Sequence, residues 1–334
     1  TGCLLLFLAT MTLACESRNL GLFWVATEAT TLSSAPLIFF HRHHRSLEAT
    51  WKYLLLCSVG IAVALLGNAF LAAAAPGVPA DLDLLLLHAR GLDPLWLKGA
   101  FILFLVGYGT KMGLAPMHTW LPDAHSESPS LVSALLSGAL LNCSFLGILR
   151  GQELLAAAGL ADFGRGLLVP FGLLSMAVAA VFIQGQADYK RMLAYSSVEH
   201  MGILALGVGL GGAGVFGAML HAVNHAVVKA MLFLCAGNIL AAYKTKSARD
   251  VKGVLRALPV SGVLWVAGFL AITGAPPFGP FLSELTILKA AADQGRMWVA
   301  AGYLGCLCLV FIGMATPMLG MAQGPSPEAR RREP

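Results

Sequence analysis

Charged residues are scarce in this sequence of 334 residues. Asp, Glu, Lys and Arg together make up 12% of it, whereas hydrophobic residues make up 57%, and the mean hydropathy is +0.76. A soluble globular domain contains about 25% charged residues, so this composition excludes a water-exposed surface over most of the chain. We therefore predict that the chain lies in a lipid bilayer. The net charge of +5 is assigned to a membrane surface rather than to nucleic-acid binding.

Motifs for metal, nucleotide and nucleophilic chemistry are also missing. The seven cysteines are scattered through apolar runs without CxxC or Cys/His spacing, so zinc and iron–sulfur ligation are not predicted, and the cysteines are interpreted as small core residues. The glycine run at 207–214 joins two apolar segments without a preceding strand, which argues against a dinucleotide site. We expect no metal, no cofactor and no catalytic chemistry in this chain itself.

Long apolar runs predict an all-α, polytopic membrane protein. A crossing takes about 20 residues, and only helices and closed barrels satisfy the backbone in hydrocarbon. The runs are continuous rather than alternating, so they are interpreted as about ten transmembrane helices. Their predicted ranges are 2–14, 20–40, 53–75, 95–124, 129–150, 166–187, 197–211, 213–240, 258–293 and 297–321.

The basic residues of the loops divide unequally between the two sides of this arrangement. One side receives thirteen of them and the other receives five. Because cytoplasmic loops collect Lys and Arg, we expect the richer side, and with it the C-terminus, to be cytoplasmic. The thirteen are Arg42, Arg45, Lys52, Lys190, Arg191, Lys244, Lys246, Arg249, Lys252, Arg256, Arg330, Arg331 and Arg332, and the five are Arg18, Arg90, Arg150, Arg165 and Arg296.

Two predicted helices, 95–124 and 258–293, contain Gly and Pro at membrane depth. Proline breaks a helix, and such a break is tolerated only where it is buried in protein or lines a cavity. Each is the fourth of five helices, so the two sets would cross the membrane in opposite directions, as in transporters with inverted repeats. We predict an N-terminally truncated first repeat at 1–150, an inverted second repeat at 151–321 and a polar cytoplasmic tail at 322–334. The predicted helix breaks are Gly113, Pro116, Gly274, Pro276 and Pro277.

Ionisable residues within the first set of helices form one half of the candidate proton pathway. A charge near the bilayer centre costs at least about 2.5 kcal/mol and is a functional candidate by default. Glu28 lies about 12 Å into its helix, and Lys111 comes just before the first break, so we expect them to pair and the lysine to exchange a proton near neutral pH. The alternative for Glu28 is a static buried carboxyl that only hydrogen-bonds Thr27, Thr30 or Thr31. Lys98 lies near a helix end and is expected to reach the headgroups.

His221, His225 and Lys229 form the centre of the pathway, because positions i, i+4 and i+8 share one helix face. Rungs about 6 Å apart, bridged by water or by Asn224, would make a proton wire. An HxxxH pair can also hold a metal, but no third ligand is evident in the sequence, so no metal is predicted.

Glu284 follows the second break, as Lys111 precedes the first. We therefore expect it to be the exit or coupling group of the pathway. Lys289, about one and a half turns further along, is predicted to be either its ion-pair partner or an outlet lysine.

The sequence resembles the antiporter-like membrane subunits of respiratory complex I, Mrp-type cation/proton antiporters and energy-converting membrane hydrogenases. The resemblance is carried by GYGTKMGLAPMHTWLPDAHSESPSLVSALLSGALLNCSFLGILR, SSVEHMGILALGVG and HAVVKAMLFLCAGN. The runs WVATEATTLSSA and WKYLLLCSVGIAVALLG are most similar to the F component of hydrogenase-4 and its formate hydrogenlyase relatives. The resemblance extends over about 2–321 and lacks the family's first few helices. Since the chain also starts without Met, we expect it to be part of a longer protein.

This resemblance implies a proton-translocating subunit of a hydrogenase-4, formate-hydrogenlyase or complex-I-like oxidoreductase complex, in a bacterial or archaeal inner membrane. It implies iron–sulfur clusters and a nickel–iron centre, or other redox cofactors, in partner subunits, together with other membrane subunits and a peripheral redox arm. The transported ion would be the proton, or sodium in its place. It also implies that Glu28 is the family's essential glutamate, Lys111 its partner lysine and 221–229 the central relay. Glu284 matches a position that is lysine in some members.

One departure from the family concerns the helix after the first break, where many members carry lysine or histidine. In this chain the run LLSGALLNCSF has Ser137 and Asn142 in that helix. Neither side chain titrates in the physiological range. The first half of the wire would then depend on water held by these polar side chains. Two other interpretations stay open: a subunit of an Mrp-type antiporter without redox coupling, and a static membrane anchor whose ionisable groups form fixed ion pairs.

Overall fold

The computed structural model describes residues 1–325. Most of the tail predicted at 322–334, including Arg330, Arg331 and Arg332, lies outside the described residues. Within that range the chain is helical and contains no strand, which confirms the all-α class. Six of the described helices are long and apolar enough to span a membrane, whereas the count of ten crossings stays a prediction. The six are His44–Ala74, Ser130–Ala157, Ala161–Ile183, Tyr189–Leu210, Ala213–Tyr243 and Met297–Ala322.

The first half of the chain folds into eight helices. A π-helical turn at Leu136–Leu140 joins α7 to α8, so these two form one continuous span. The repeat boundary predicted after residue 150 falls inside α8, which continues to Ala157. The helices are α1 (Gly2–Glu16), α2 (Leu20–Ile38), α3 (His44–Ala74), α4 (Leu82–Leu87), α5 (Pro94–Met112), α6 (Leu121–Glu127), α7 (Ser130–Leu135) and α8 (Leu141–Ala157).

The second half, as far as it is described, contains seven α-helices. Three helices of the chain start at least five residues earlier than predicted, and one of them, predicted at 166–187, begins at Ala161. The helix predicted at 53–75 begins at His44, because His43 and Ser46 form a capping box. The helix predicted at 197–211 begins at Tyr189, because the Asp188 carboxylate accepts hydrogen bonds from the first free backbone amides. The seven are α9 (Ala161–Ile183), α10 (Tyr189–Leu210), α11 (Ala213–Tyr243), α12 (Val254–Ala257), α13 (Pro259–Ile272), α14 (Gly279–Asp293) and α15 (Met297–Ala322).

Both segments that carry the predicted break residues are non-helical. The first lies between α5 and α6 and starts at Gly113, whose φ of 86° is left-handed. The second lies between α13 and α14 and contains Gly274, Pro276 and Pro277. At the first break, the Trp120 indole donates to a carbonyl oxygen at the end of α5. This backbone carbonyl, freed by the break, thus finds a partner inside the protein, as a break at membrane depth would require.

Helix packing in the interior relies on small residues. Gly172 of α9 and Gly202 of α10 approach so closely that a Cβ on either would lie 2.7 Å from the other's carbonyl oxygen. Gly60 of α3 and Gly107 of α5 make a similar contact. Lipid offers no hydrophobic drive for helices to associate, so close backbone approach of this kind supplies much of the packing energy. The most enclosed helix is α10, which packs against α9, α11 and α6.

Ion pairs gather at the two ends of the bundle. At one end, Lys52 of α3 and Arg191 of α10 both pair with Asp123, at 3.0 and 2.7 Å. At the other end, Arg18 pairs with Asp83. From the sequence, the two basic residues that pair with Asp123 were assigned to one membrane face and Arg18 to the opposite face. The structure places these residues at opposite ends of the bundle, in agreement with that assignment.

Candidate functional site

Lys111 lies at the end of α5 and is fully buried against α2. Its ammonium donates to the Thr27 carbonyl oxygen at 2.9 Å and to the Thr31 hydroxyl. That hydroxyl in turn donates to the Glu28 carboxylate at 3.3 Å, and Ser58 donates to the other carboxylate oxygen at 2.7 Å. The structure therefore brings Glu28 and Lys111 together, but through one bridging hydroxyl.

The direct Glu28–Lys111 ion pair expected from the sequence is not among the ion pairs of residues 1–325. The physical reason is the position of Thr31, one helical turn after Thr27. The hydroxyl of that threonine occupies the space between the two charges, and the lysine instead lies over the ring of Tyr53, 5.9 Å from its centroid. An ammonium over an aromatic face is electrostatically stabilised.

The central stripe of α11 is buried, as its spacing predicted. The structure gives His221 two partners on neighbouring helices. Its Nε2 atom shares a hydrogen bond of 2.9 Å with Nδ1 of His200 on α10, and its Nδ1 atom one of 2.9 Å with the hydroxyl of Ser283 on α14. Imidazole groups in such a chain can accept a proton on one nitrogen and release it from the other. These three side chains connect α10, α11 and α14.

Lys229 lies two turns further along the same face. Its ammonium donates to the Leu193 carbonyl oxygen at 2.6 Å and to the Ser196 hydroxyl at 2.5 Å. Glu199 of α10 interacts electrostatically with this lysine. Between the two ends of the stripe, the His225 ring lies 5.1 Å from the His200 ring, and neither of its nitrogens has a partner among the described residues.

The polar relay candidates have different surroundings. Ser137, in the π-helical turn, shares a hydrogen bond of 2.8 Å with Ser197 of α10, next to the serine that binds Lys229. Asn142 donates only to a carbonyl of its own span. The side chain of Asn224 packs against Gly279, the first residue of α14. A Cβ added to this glycine would lie 2.5 Å from Oδ1 of the asparagine. No hydrogen bond in the described part of the chain joins Lys111 to Ser137.

Glu284 lies in the first turns of α14 and is buried. Its carboxylate packs over Gly274, where a Cβ would overlap it. A largely apolar cavity of about 420 Å³ borders Glu284 on the side of α15. The residues of the second break thus hold this carboxyl at the edge of a cavity, beside the histidine chain.

Lys289 is not the ion-pair partner of Glu284, and that part of the prediction was wrong. Its ammonium is exposed and lies 2.6 Å from Asp293. Five residues of helix turn the side-chain direction by about 140°, so Lys289 projects away from the face that carries Glu284. Its alternative role as an outlet lysine is not tested by this contact.

Glu199 and His200 are site residues that the sequence interpretation missed. The signal was present, because both are ionisable residues within an apolar run. Starting the helix at 197 placed them in its first turn, where charges are usually interfacial. The observed start at Tyr189 places them about 15 Å inside the helix.

A group of potential metal ligands includes His221 but not His225, the other member of the HxxxH pair in the sequence. Donor atoms of His200, His221 and Glu284 lie within 4.8 Å of one another, and all three residues are buried. The two facing imidazole nitrogens already hydrogen-bond each other, and Ser283 holds the remaining nitrogen of His221. His200, His221 and Ser283 therefore form a hydrogen-bonded chain, whereas Oε1 of Glu284 and Nε2 of His200 have no hydrogen-bond partner among the described residues.

A polar cavity of about 460 Å³ lies at the end of the bundle where Asp123 makes its ion pairs. Asp123 and Glu127 of α6 line it. His125, between them in sequence, is fully buried and stacks on Phe233, with the ring centroids 5.1 Å apart. The short helix after the first break thus presents carboxylates to the polar cavity and an imidazole to the interior.

Residues 17–310 match the sequence profile of the family described as NADH:quinone oxidoreductase/Mrp antiporter, transmembrane. The chain belongs to this family. The match extends over both broken helices and every candidate pathway residue described above.

The proteins similar to the chain include two hydrogenase-4 components and a subunit of a solved respiratory complex. A hydrogenase-4 component F homolog of Methylacidiphilum infernorum is 40% identical, over 96% of this chain and 69% of the relative. Hydrogenase-4 component B of Escherichia coli is 32% identical, over 92% of this chain and 48% of the relative. The chain thus spans about half to two thirds of their lengths. A subunit in the structure of the membrane-bound sulfane sulfur reductase, an archaeal respiratory membrane complex, superposes with a TM-score of 0.91 at 25% identity, over 99% of this chain and 68% of that subunit.

Proposed function

We propose that this chain is a proton-translocating membrane subunit of a hydrogenase-4, formate-hydrogenlyase or complex-I-like oxidoreductase complex. Membership of the NADH:quinone oxidoreductase/Mrp antiporter family and similarity to two hydrogenase-4 components support this proposal. Iron–sulfur clusters and a nickel–iron centre, or other redox cofactors, would lie in partner subunits of a peripheral arm. The chain would occupy a bacterial or archaeal inner membrane beside other membrane subunits, with its C-terminus in the cytoplasm.

The observation that carries the proposal is the hydrogen-bonded chain that joins α10, α11 and α14 in the bundle interior. His200, His221 and Ser283 are in hydrogen-bond contact and buried, with Glu284 beside them. Burying several ionisable groups at membrane depth costs free energy, and a continuous path for a proton accounts for that cost. The Lys229 ammonium on the same helix face would extend the path toward Ser196 and the π-helical turn.

The Glu28–Thr31–Lys111 group would gate the path. Loss of the negative charge on Glu28 would remove an attraction that holds a proton on Lys111, and the bridging hydroxyl transmits the change at short range, where Coulomb interactions in protein are strong. In this proposal the lysine then releases its proton toward the centre of the bundle. Water held near Ser137 and Asn142 would complete the route to Lys229.

The two inverted repeats, at 1–150 and 151–321, belong to this proposal. Each broken helix carries a buried ionisable residue close to its break, Lys111 before the first and Glu284 after the second. A path between two such points, with the histidine stripe at the centre, is the arrangement expected of paired broken helices.

A paired substitution in the whole complex tests this function. In vesicles containing the reconstituted complex, we expect Lys229→Ala to abolish proton movement linked to electron transfer while the complex still assembles. Lys98→Ala is the matched control, because Lys98 is a half-buried lysine near a helix end, over the Phe163 ring. The static-anchor interpretation requires the opposite result, namely that Lys229→Ala impairs assembly and leaves proton movement per assembled complex unchanged.

A subunit of an Mrp-type cation/proton antiporter is the second candidate, and the family description itself includes such antiporters. It would use the same residues, with sodium or another cation exchanged for protons and no redox partner. Affinity purification of the native complex separates the two. Nickel–iron or iron–sulfur subunits in the purified complex support the redox-linked function, and a complex of membrane subunits alone supports the antiporter.

A further inference from the structure

Two cysteines from distant parts of the sequence meet at one end of the bundle. Cys15 lies in the last turn of α1 and Cys143 in the first turn of α8, and their sulfur atoms are 3.7 Å apart. Cys15 is exposed, as are Cys3 and Cys308, whereas Cys143 is buried. The interpretation of all seven cysteines as core residues is therefore wrong for these exposed members.

The two sulfurs lie at a non-bonded contact distance. A disulfide has a sulfur–sulfur separation of about 2.05 Å, so the sulfurs would approach by about 1.7 Å. Rotation of the Cys143 side chain away from its 4.0 Å contact with the Met11 carbonyl oxygen can supply part of that approach.

The surroundings of Cys15 are those of a reactive thiol. Arg150, two turns after Cys143 on the same face of α8, donates to the Cys15 carbonyl oxygen at 3.4 Å, which places a guanidinium beside Cys15. Reactive cysteines characteristically lie beside cationic side chains. Cys15 is also three residues before Arg18, on the face assigned away from the cytoplasm, where oxidising conditions permit disulfides.

We propose that Cys15 and Cys143 form a modification site, a thiol pair that closes reversibly into a disulfide linking α1 to α8. The oxidant is a disulfide, either a small molecule or the active site of a thiol–disulfide oxidoreductase. The Cys15 thiolate attacks one of its sulfurs and releases the other as a thiol. Cys143 then attacks the mixed disulfide. Both cysteines lose their protons, one sulfur–sulfur bond forms, and the oxidant accepts two electrons and two protons and becomes two thiols.

Closure of this bond would act on the Lys111 group. The α8 helix packs against α5, whose last turn carries Lys111. Asn142, adjacent in sequence, belongs to the proposed water-holding segment. A tether to α1 would hold this part of α8 in place and slow proton transfer, a consequence that rests on the proposed function.

The chemistry is tested in membranes carrying the full-length protein in its complex. After treatment with oxidised glutathione and alkylation of remaining thiols, we expect non-reducing peptide mass mapping to show one crosslinked species that joins Cys15 to Cys143. The crosslink should disappear with dithiothreitol and in Cys15→Ser, and remain in Cys57→Ser, which alters a buried cysteine of α3. If both thiols stay alkylatable while the exposed Cys3 forms a mixed disulfide with glutathione, the proposal is overturned.

The functional consequence has its own measurement. Oxidation should lower proton movement of the wild-type complex by at least about fivefold, the lower end of typical coupling between distinct sites, and should leave Cys15→Ser unaffected. A crosslink that forms without this effect overturns the control of proton transfer but not the disulfide. Neither result depends on the Lys229→Ala experiment, which tests the function itself.

Discussion

The bridging hydroxyl between Lys111 and Glu28 yields a sharp prediction for Thr31→Val. Valine has nearly the shape of threonine but lacks the hydroxyl, so the substitution removes one acceptor for the Lys111 ammonium and one donor to the Glu28 carboxylate. The lysine keeps its bond to the Thr27 carbonyl oxygen and the glutamate keeps its bond to Ser58. The change therefore cuts the link between the two charges without removing either.

The expected magnitude follows from the two lost bonds. A hydrogen bond to a charged group is worth about 1.5–3 kcal/mol, and bonds inside membrane proteins average about 0.6 kcal/mol. We expect Thr31→Val to lower the free energy of unfolding by roughly 1–3 kcal/mol in total. If transfer loses one charge-assisted bond of about 1.4–2.8 kcal/mol, its rate falls by about tenfold to a hundredfold.

The assay is proton movement in vesicles containing the reconstituted complex, together with thermal unfolding of the same preparation. Thr31→Ser keeps the hydroxyl and should restore most of the rate. Thr12→Val is the matched control, since Thr12 is exposed on α1 and its hydroxyl bonds only to the Leu8 carbonyl oxygen. If a folded Thr31→Val complex moves protons as fast as the wild type, the bridging role is refuted.

Three further substitutions follow from the same contacts. His200→Phe keeps an aromatic ring but removes the nitrogen that hydrogen-bonds His221 of α11. Proton movement should fall on the order of a hundredfold, while native gel electrophoresis should show that the complex still assembles. Gly274→Ala requires a left-handed alanine at φ 66° and a Cβ overlapping the Glu284 carboxylate, and should destabilise the fold by about 1–2 kcal/mol or more. Gly77→Ala is the control, because Gly77 is also left-handed, at φ 79°, but has open space around it. In thermal unfolding, the difference between the two variants measures the cost of the overlap with Glu284, separate from the cost of a left-handed alanine. Asp123→Asn removes two ion pairs that are partly exposed, and should cost about 1 kcal/mol at low salt and less at high salt.

Sequence reasoning located the parts of the site that depend on depth and helix breaks. Glu28 and Lys111 stand out because a charge inside a long apolar run has a high cost, and the Gly–Pro clusters mark both breaks directly. The sequence named Thr31 as one of three possible hydrogen-bond partners of Glu28, and the structure contains that bond. Its second bond, to Lys111, could not be predicted, because it depends on how α5 docks against α2 and on the rotamer of one hydroxyl. The angle that separates Lys289 from Glu284, in contrast, was available from helix geometry alone.

The start of α10 decided whether Glu199 and His200 were recognised. Capping by Asp188 extends this helix eight residues before the predicted start and carries both side chains into the interior. An aspartate before an apolar run is a visible signal for a helix start, but the intervening YKRMLAYSS is polar enough to look like a loop. The contact between Cys15 and Cys143, 128 residues apart, has no local signal in the sequence.

The π-helical turn at Leu136–Leu140 holds one more residue than a regular α-helical turn would. That extra residue sets the phase between the two parts of the span, so that Ser137 reaches α10 while Cys143 faces α1. Deleting one residue would rotate the two parts by about 100° relative to each other, and one of these contacts would be lost. A single inserted residue thus lets one span contact both halves of the bundle. It contacts α10 of the second half within the turn and α1 of the first half after the turn.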